Sequence, residues 1–306
     1  MNATLVLALA MMLDAVAGEP RWLWSRLPHP AVLMGRAVTW LEARLNNGPG
    51  ARLKGMFATL ILVVSAAILG GIIAQAGWIV EIIVAAILLA QRSLVAHVHT
   101  VGRGLRQSDN EGRRAVRMIV SRDISAASPA QVARAAIESL SENFSDGVIA
   151  PALWFLIAGL PGILVYKVVN TADSMIGYLT PRYAQFGWAA ARLDDFLNWV
   201  PARLTGLLLA IVGGITAQWR VITADARLHR SPNAGWPEAA MARALNIALA
   251  GPRSYHGRVE DLSWVNDHGK RDLGPAEIDA AVLMVWKTWG LVVGLLCVVG
   301  VLAWIF

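Results

Sequence analysis

The sequence predicts an all-α, polytopic helical membrane protein, and three observations carry that expectation. The 306 residues are 56% hydrophobic and only 16% charged, where a soluble domain carries about 25% charged residues. Mean hydropathy is +0.52. Apolar runs recur at 2–18, 56–74, 78–94, 148–166, 204–219 and 280–306. A crossing helix needs roughly 20 such residues, so about five spans are expected. A re-entrant segment and cytoplasmic helical loops complete a single integral-membrane domain over residues 1–306.

The elements follow in order. The first run is short and ends Ala15-Val16-Ala17, which mimics a signal-peptidase site. No basic stretch precedes it and Asp14 adjoins it, so it reads as an uncleaved first span. Residues 46–50 (Asn-Asn-Gly-Pro-Gly) form a turn. Gln75-Ala76-Gly77 joins the second and third runs as a short external turn, giving a helical hairpin. Ser128-Pro129-Ala130-Gln131 starts a helix, with Ser as cap, Pro in the first turn and Gln three residues after the cap. That helix runs toward Asn143 with Arg134, Glu138 and Glu142 on one face. Ser145-Asp146-Gly147 is expected to end it as a turn. The run 148–166 holds Pro151, Gly159, Pro161 and Gly162. It is therefore read as bent or re-entrant, which lipid tolerates only where protein buries the backbone. Asn170 and Ser174 share a helical face with Asp173 one step round. Asp194 and Asn198 share another, and Arg192 can reach Asp195. The last run is a span.

Charge adds sidedness. The net charge is +6, and 23 of the 27 basic residues are arginine. Nothing in the chain matches a nucleic-acid module, and the basic residues flank apolar runs, so lipid headgroups and topology account for them. The basic segments 21–54, 102–134 and 220–271 are expected in the cytoplasm. A re-entrant fourth run would keep 167–202 on that side, where the polar motifs converge on one site. The lone Cys297 allows no internal disulfide and is no metal site by itself. The six histidines are scattered and make no metal site.

The stretch 138–203 concentrates Glu138, Glu142, Asn143, Asp146, Asn170, Asp173, Arg192, Asp194, Asp195, Asn198 and Arg203 in and around apolar segments. Ionisable groups are expensive there unless they are paired or bind something. They read as a site. Three simpler readings stand beside that one, and the first is a structural ion pair between Asp194 and Arg192, which the second aspartate and Asn198 disfavour. Glu138 pairs with Arg134 as readily as it joins a site. Asp14 is either a polar helix contact or a site residue.

Several strings together resemble the CobD/CbiB family of cobalamin biosynthesis, the adenosylcobinamide-phosphate synthases. They are Ala136-Ile-Glu-Ser-Leu-Ser-Glu-Asn-Phe-Ser-Asp-Gly147, Tyr166-Lys-Val-Val-Asn-Thr-Ala-Asp-Ser-Met175 and Arg182-Tyr-Ala-Gln-Phe-Gly187. Ala191-Arg-Leu-Asp-Asp-Phe-Leu-Asn-Trp-Val-Pro-Ala-Arg203, Ser231-Pro-Asn-Ala-Gly-Trp-Pro-Glu238 and Leu27-Pro-His-Pro30 extend the resemblance over nearly the whole chain. Two departures are visible. Gly18-Glu19-Pro20 stands for the usual Gly-Asp-Pro, and Ser121-Arg122-Asp123-Ile124-Ser125 for the usual Gly-Arg-Asp-Thr-Ser.

The resemblance implies an amide-forming, ligase-type enzyme. Family members join adenosylcobyric acid to aminopropanol phosphate, or to a related amino alcohol such as ethanolamine. The amide forms on a propionate of the corrin and gives adenosylcobinamide phosphate. Such a bond needs an activated carboxylate, ordinarily made with ATP and Mg²⁺. The chain has no Gly-x-x-x-x-Gly-Lys-Ser/Thr loop, so a nucleotide would bind in another way. The expected catalytic carboxylates are Glu142, Asp146, Asp173, Asp194, Asp195 and Glu238, the last as base on the amine or as a further ligand. Asp173, Asp194 and Asp195 are the magnesium candidates. Asn143, Asn170 and Asn198 would orient phosphate or amide groups. Arg192 and Arg203 would hold phosphate or carboxylate bidentately. Ser174, Lys167, Asn233 and Arg122 complete the substrate-binding set. Trp188, Trp199 and Trp236 read as interfacial belt residues ahead of corrin-stacking platforms.

Expected partners are the corrinoid and amino-alcohol phosphate substrates, membrane lipid and other nucleotide-loop assembly enzymes, with no nucleic acid. The expected location is the inner (cytoplasmic) membrane, with site loops facing the cytoplasm. Two competing classes are a corrinoid-binding or transport subunit without catalysis and a membrane signalling homologue. The chain lacks the paired half-repeats of many transporters, and its family motifs are intact.

Overall fold

The structure, a computed structural model, describes residues 1–120, 123–255, 258–260 and 263–305, without the side chains of residues 21, 253–255 and 258–260. In chain order the first helices are α1 (Ala3–Ala17), α2 (Arg21–Trp24), α3 (Pro30–Leu45), α4 (Ala51–Ala74), α5 (Trp78–Leu88), α6 (Gln91–Gln107) and α7 (Asp109–Val116). They continue with α8 (Pro129–Phe144), α9 (Ala150–Ile176), α10 (Trp188–Leu197), α11 (Trp199–Val212), α12 (Trp219–Ala226), α13 (Gly235–Ala244) and α14 (Pro275–Ile305). The fold is all-α, with two short antiparallel pairs in the segment before α14 that the sequence reading did not include. Strands β1 (Leu249–Ala250) and β4 (Trp264–Val265) make one pair; β2 (Arg253–Tyr255) and β3 (Arg258–Glu260) make the other.

Four helical segments are long and apolar enough to cross a membrane: Ala51–Ala74, Trp78–Gln107, Pro129–Ile176 and Pro275–Ile305. The pair α10 and α11, bent by 40°, makes a fifth if counted as one span. Large apolar side chains stand exposed along them, among them Phe57, Leu60, Ile68 and Ile72 on α4 and Leu295, Val298 and Leu302 on α14. Contiguous apolar surface of this extent needs a covering that is not water. Lipid supplies it, and the protein is a multi-pass membrane protein.

By contacts the chain divides into two compact units. The first comprises Met1–Arg92, Asp146–Trp199 and Val293–Phe306. Its core holds Leu7 and Met11 of α1, Ala85 of α5, Phe155, Ile163 and Tyr166 of α9, and Phe186. The second comprises Ser93–Ser145 and Val200–Val292. Its core holds Val132, Ile137 and Phe144 of α8, Ile222 of α12, Met241 of α13, Leu249, and Ile278 of α14.

Local chemistry explains several boundaries. Ser128 caps α8 through a reciprocal capping box with Gln131, as its sequence predicts. Gly77, at φ 94°, makes the turn between α4 and α5. The backbone of α9 leaves helical geometry at Ala158 and Gly159, two residues before Pro161. The breakers in the run 148–166 therefore act where expected.

Two boundaries differ from expectation. Ser145-Asp146-Gly147 does not end α8. The chain passes through a π-helical turn, Ser145–Ile149, straight into α9. In an apolar setting a π turn keeps the backbone bonded where an open turn would expose it. The run 78–94 is not one uninterrupted helix either, because α5 ends at Leu88 and α6 begins at Gln91. The carboxylate of Asp14 accepts the Gln91 N–H at 2.8 Å and so satisfies the new helix start. Asp14 is thus a buried helix contact, the first of its two readings.

Candidate functional site

In the first unit, α9 presents Tyr166, Lys167, Asn170, Asp173 and Ser174, and α10 presents Arg192, Asp194 and Asp195. Gly187 brings the two helices together. A Cβ there would lie 1.7 Å from the carbonyl oxygen of Ile176, so only glycine lets the start of α10 sit on the end of α9.

Asp194 is 8% exposed. Its Oδ1 accepts from Asn170 Nδ2 at 3.2 Å and its Oδ2 from Asn198 Nδ2 at 3.0 Å. Asn198, one helical turn on, also accepts the hydroxyl of fully buried Tyr166 at 2.9 Å. The same hydroxyl lies 3.0 Å from the carbonyl oxygen of Asp146. A chain of neutral groups therefore fixes this carboxylate. No described lysine, arginine or histidine forms an ion pair with it. Asp195, on the next face, meets Arg192 at 3.7 Å, and Arg192 is largely exposed.

The other predicted residues of this unit take different surroundings. Lys167 lies close enough to Asp146 and Glu19 to feel both charges. Asp173 turns back along α9, where a Cβ at Gly177 would meet its Oδ1 at 2.0 Å. Ser174 is exposed. Among the described residues no three of His, Cys, Asp and Glu gather as a metal-holding group. Asp173 lies against Gly177, and Asp195 meets Arg192.

His29, outside the site expected from sequence, starts α3 by accepting the Ala31 N–H on Nδ1 at 3.2 Å. Its ring stands edge-on to Trp24 at 4.5 Å. Burial holds its pKa below the ordinary 6.5, and Lys167 adds to that while Glu19 opposes it.

The second unit holds the remaining predicted residues. Glu142 and Asn143 are exposed near the end of α8, and Asn143 Nδ2 donates to the Ser139 carbonyl at 2.8 Å. Asn233 Oδ1 accepts from Arg203 Nη1 at 3.3 Å. The Arg203 guanidinium lies over Trp236 at 4.7 Å, and Trp236 packs on Trp219. Ser231 Oγ accepts the N–H groups of Asn233 and Ala234, which shapes the loop. Glu238, 3% exposed, has Oε1 3.7 Å from His229 Nε2. Glu138 and Arg134 brace the strands: Glu138 Oε1 accepts the Ala250 N–H at 2.8 Å, and Arg134 Nη2 donates to the Arg271 carbonyl at 3.0 Å. Arg122 lies outside the described residues.

Sequence reasoning missed two buried acids with cationic partners. Asp225 Oδ2 accepts from Arg243 Nε at 2.8 Å and from the Asn266 N–H at 3.2 Å. Glu42 Oε1 accepts from Arg182 Nε at 3.0 Å and Nη2 at 2.8 Å. The partners lie 18 and 140 residues apart in sequence, beyond any local pattern.

Comparison with known proteins agrees with these motifs. The family model described as CobD/Cbib protein matches residues 7–285. A cobalamin biosynthesis protein CobD of Brucella anthropi is 47% identical over 95% of both chains. That of Rhizobium meliloti is 47% identical over 91% of both, and that of Rhodobacter capsulatus 42% identical over 97% of this chain and 98% of its own. No solved structure matches the chain. With a family model spanning most of its length and relatives this similar end to end, the chain belongs to the CobD/CbiB protein family.

Proposed function

We propose that this chain, acting in cobalamin biosynthesis as its family does, forms the amide between the propionate carboxylate of adenosylcobyric acid and an amino-alcohol phosphate. The product is adenosylcobinamide phosphate. The observation that carries the reading is Asp194. A buried carboxylate is costly unless something compensates its charge. Here neutral amides orient it and leave the charge for a cation that arrives with the substrates.

The chain's own residues divide the work. Asn170, Asn198 and Tyr166 hold Asp194 in one orientation. Asp194 and Asp195 would hold magnesium, one or two carboxylates sufficing beside phosphate oxygens. Magnesium, when bound, would neutralise the phosphates of the ATP that activates the carboxylate. Arg192, exposed and only loosely paired, is free to grip a substrate phosphate or carboxylate. Attack by the amine forms the C–N bond and expels the activating phosphate, and the amine proton passes to a carboxylate. The roles assigned to Glu142, Asn143, Arg203, Asn233 and Glu238 belong to the same reading, and each is tested by its own substitution.

The test is mass-spectrometric detection of product from purified, lipid-reconstituted protein given adenosylcobyric acid, aminopropanol phosphate and Mg²⁺, with and without ATP. Product with ATP alone is expected. No product from folded protein in either case would return the weight to binding or transport. For location, we propose the inner membrane with the 177–187 connection facing the cytoplasm. A Thr180→Cys, Cys297→Ala variant should label in inverted vesicles and resist an impermeant thiol reagent outside intact cells; external labelling would reverse that orientation.

A further inference from the structure

The end of α6 and the short helix α7 border an open surface groove of about 360 Å³, lined in part by Thr100, Arg103, Gln107, Glu111, Arg114 and Met118. All of these residues belong to the second unit. The groove is built by a backbone contact. A Cβ at Gly104 would come within 2.8 Å of the Glu111 carbonyl oxygen, so the two helices touch and set its width. Ser108, which caps α7 by accepting the Glu111 N–H at 3.2 Å, fixes the turn between them.

The arginines of this region fall into two groups. Arg106 pairs with Asp279, and Arg113 donates to the Ala127 carbonyl at 2.7 Å and to Asn110 at 2.8 Å. The two arginines of the groove are not used in this way. Arg103 donates only to Thr100 Oγ1, at 3.2 Å, and Arg114 bonds to no described residue. Two guanidinium forks thus face one cleft with the Gln107 carboxamide, against the one carboxylate of Glu111 among its lining groups, while the Thr100 hydroxyl donates to the Ala96 carbonyl at 2.8 Å. That donor set suits a phosphate group, which guanidinium meets bidentately. Thr100, Arg103 and Gln107 occupy the last turns of Trp78–Gln107, a helical segment long and apolar enough to cross a membrane. Met118, 77% exposed, offers apolar surface beside it.

We propose that Arg103 and Arg114 form a binding site for a phosphate ester, supplied by an anionic phospholipid or by a soluble phosphate. The site uses no residue of the amide-forming reading and stands apart from it.

Native mass spectrometry of the intact, detergent-purified chain tests this, with phosphatidylglycerol, phosphatidylcholine and inorganic phosphate offered separately. The variant pair R103Q/R114Q is compared with R36Q/R117Q, which removes the same charge from exposed residues outside the lining. We expect R103Q/R114Q alone to weaken phosphatidylglycerol binding by about tenfold or more. The same dependence for inorganic phosphate, with no preference between the lipids, would also support the site and assign it a soluble ligand. Equal binding by R103Q/R114Q and the parent chain, or an equal loss in the control pair, would overturn it.

Discussion

Two buried aspartates, one in each unit, are held in opposite ways. Asp225 meets a cation: Arg243 donates to it through Nε and Nη2 at 2.8 and 2.7 Å, and the Asn266 backbone adds a third bond. Among the described residues, Asp194 meets only the amides of Asn170 and Asn198. The first arrangement closes its own charge balance and serves the fold. The second is oriented but not neutralised. On the proposed reading the difference separates a structural carboxylate from a functional one, although both sit on helices and both are about as buried. The contrast extends to Glu138, which spends an oxygen on the Ala250 N–H and so ties α8 to β1.

The largest effect that could break this comparison is on activity. Asp194→Asn should lower synthesis at least about a hundredfold, as loss of a directly acting group does, while membrane insertion and thermal stability stay near the parent. Near-normal turnover would remove Asp194 from the site. Asp225→Asn should do the reverse. Breaking a buried ion pair costs about 3 kcal/mol, so the unfolding midpoint in detergent should fall, and the residual folded protein should keep its specific activity. If both variants lost activity and stability alike, the distinction between the two acids would collapse.

Tyr166→Phe sharpens the same point at smaller scale. It removes the hydroxyl that donates to Asn198, at a cost of about 1 kcal/mol. Turnover should fall more than stability, because Asn198 then loses its fixed orientation against Asp194. A loss of stability with unchanged turnover would make the network purely structural.

The smallest effect is a pH dependence. Burial favours neutral His29, so its folded pKa lies below 6.5. Its contribution to stability is therefore complete above 6.5 and is lost as pH falls through the folded value. The thermal midpoint should decline on acidification below pH 6.5. His29→Asn keeps a capping side chain for α3 and should flatten that decline. An unchanged acid slope in the variant would assign it to other groups.

Much of this was legible in the residues. The i, i+4 spacing of Asp194 and Asn198 put them on one face, and their hydrogen bond follows from it. The capping box at Ser128 and the break at Gly159 are likewise local, each set by a few neighbouring residues. Asn170, 24 residues from Asp194, could be listed as polar but not paired, since its reach depends on how α9 and α10 pack. Arg203 stacks on Trp236 and donates to Asn233, 30 residues away, contacts that no local pattern announces.

By itself the sequence determined the class of the protein, most of its apolar helical runs and the inventory of polar residues, because composition and short-range periodicity suffice for those, although the expected first span, Ala3–Ala17, is a shorter apolar helix. Only the tertiary structure decided which acids are neutralised, that Asp14 restarts a helix 77 residues away, and that the predicted turn at Asp146 is a π-helical turn. Those outcomes depend on burial and on partners distant in the chain. Hydrogen bonding and charge compensation across that distance are settled only when the helices pack.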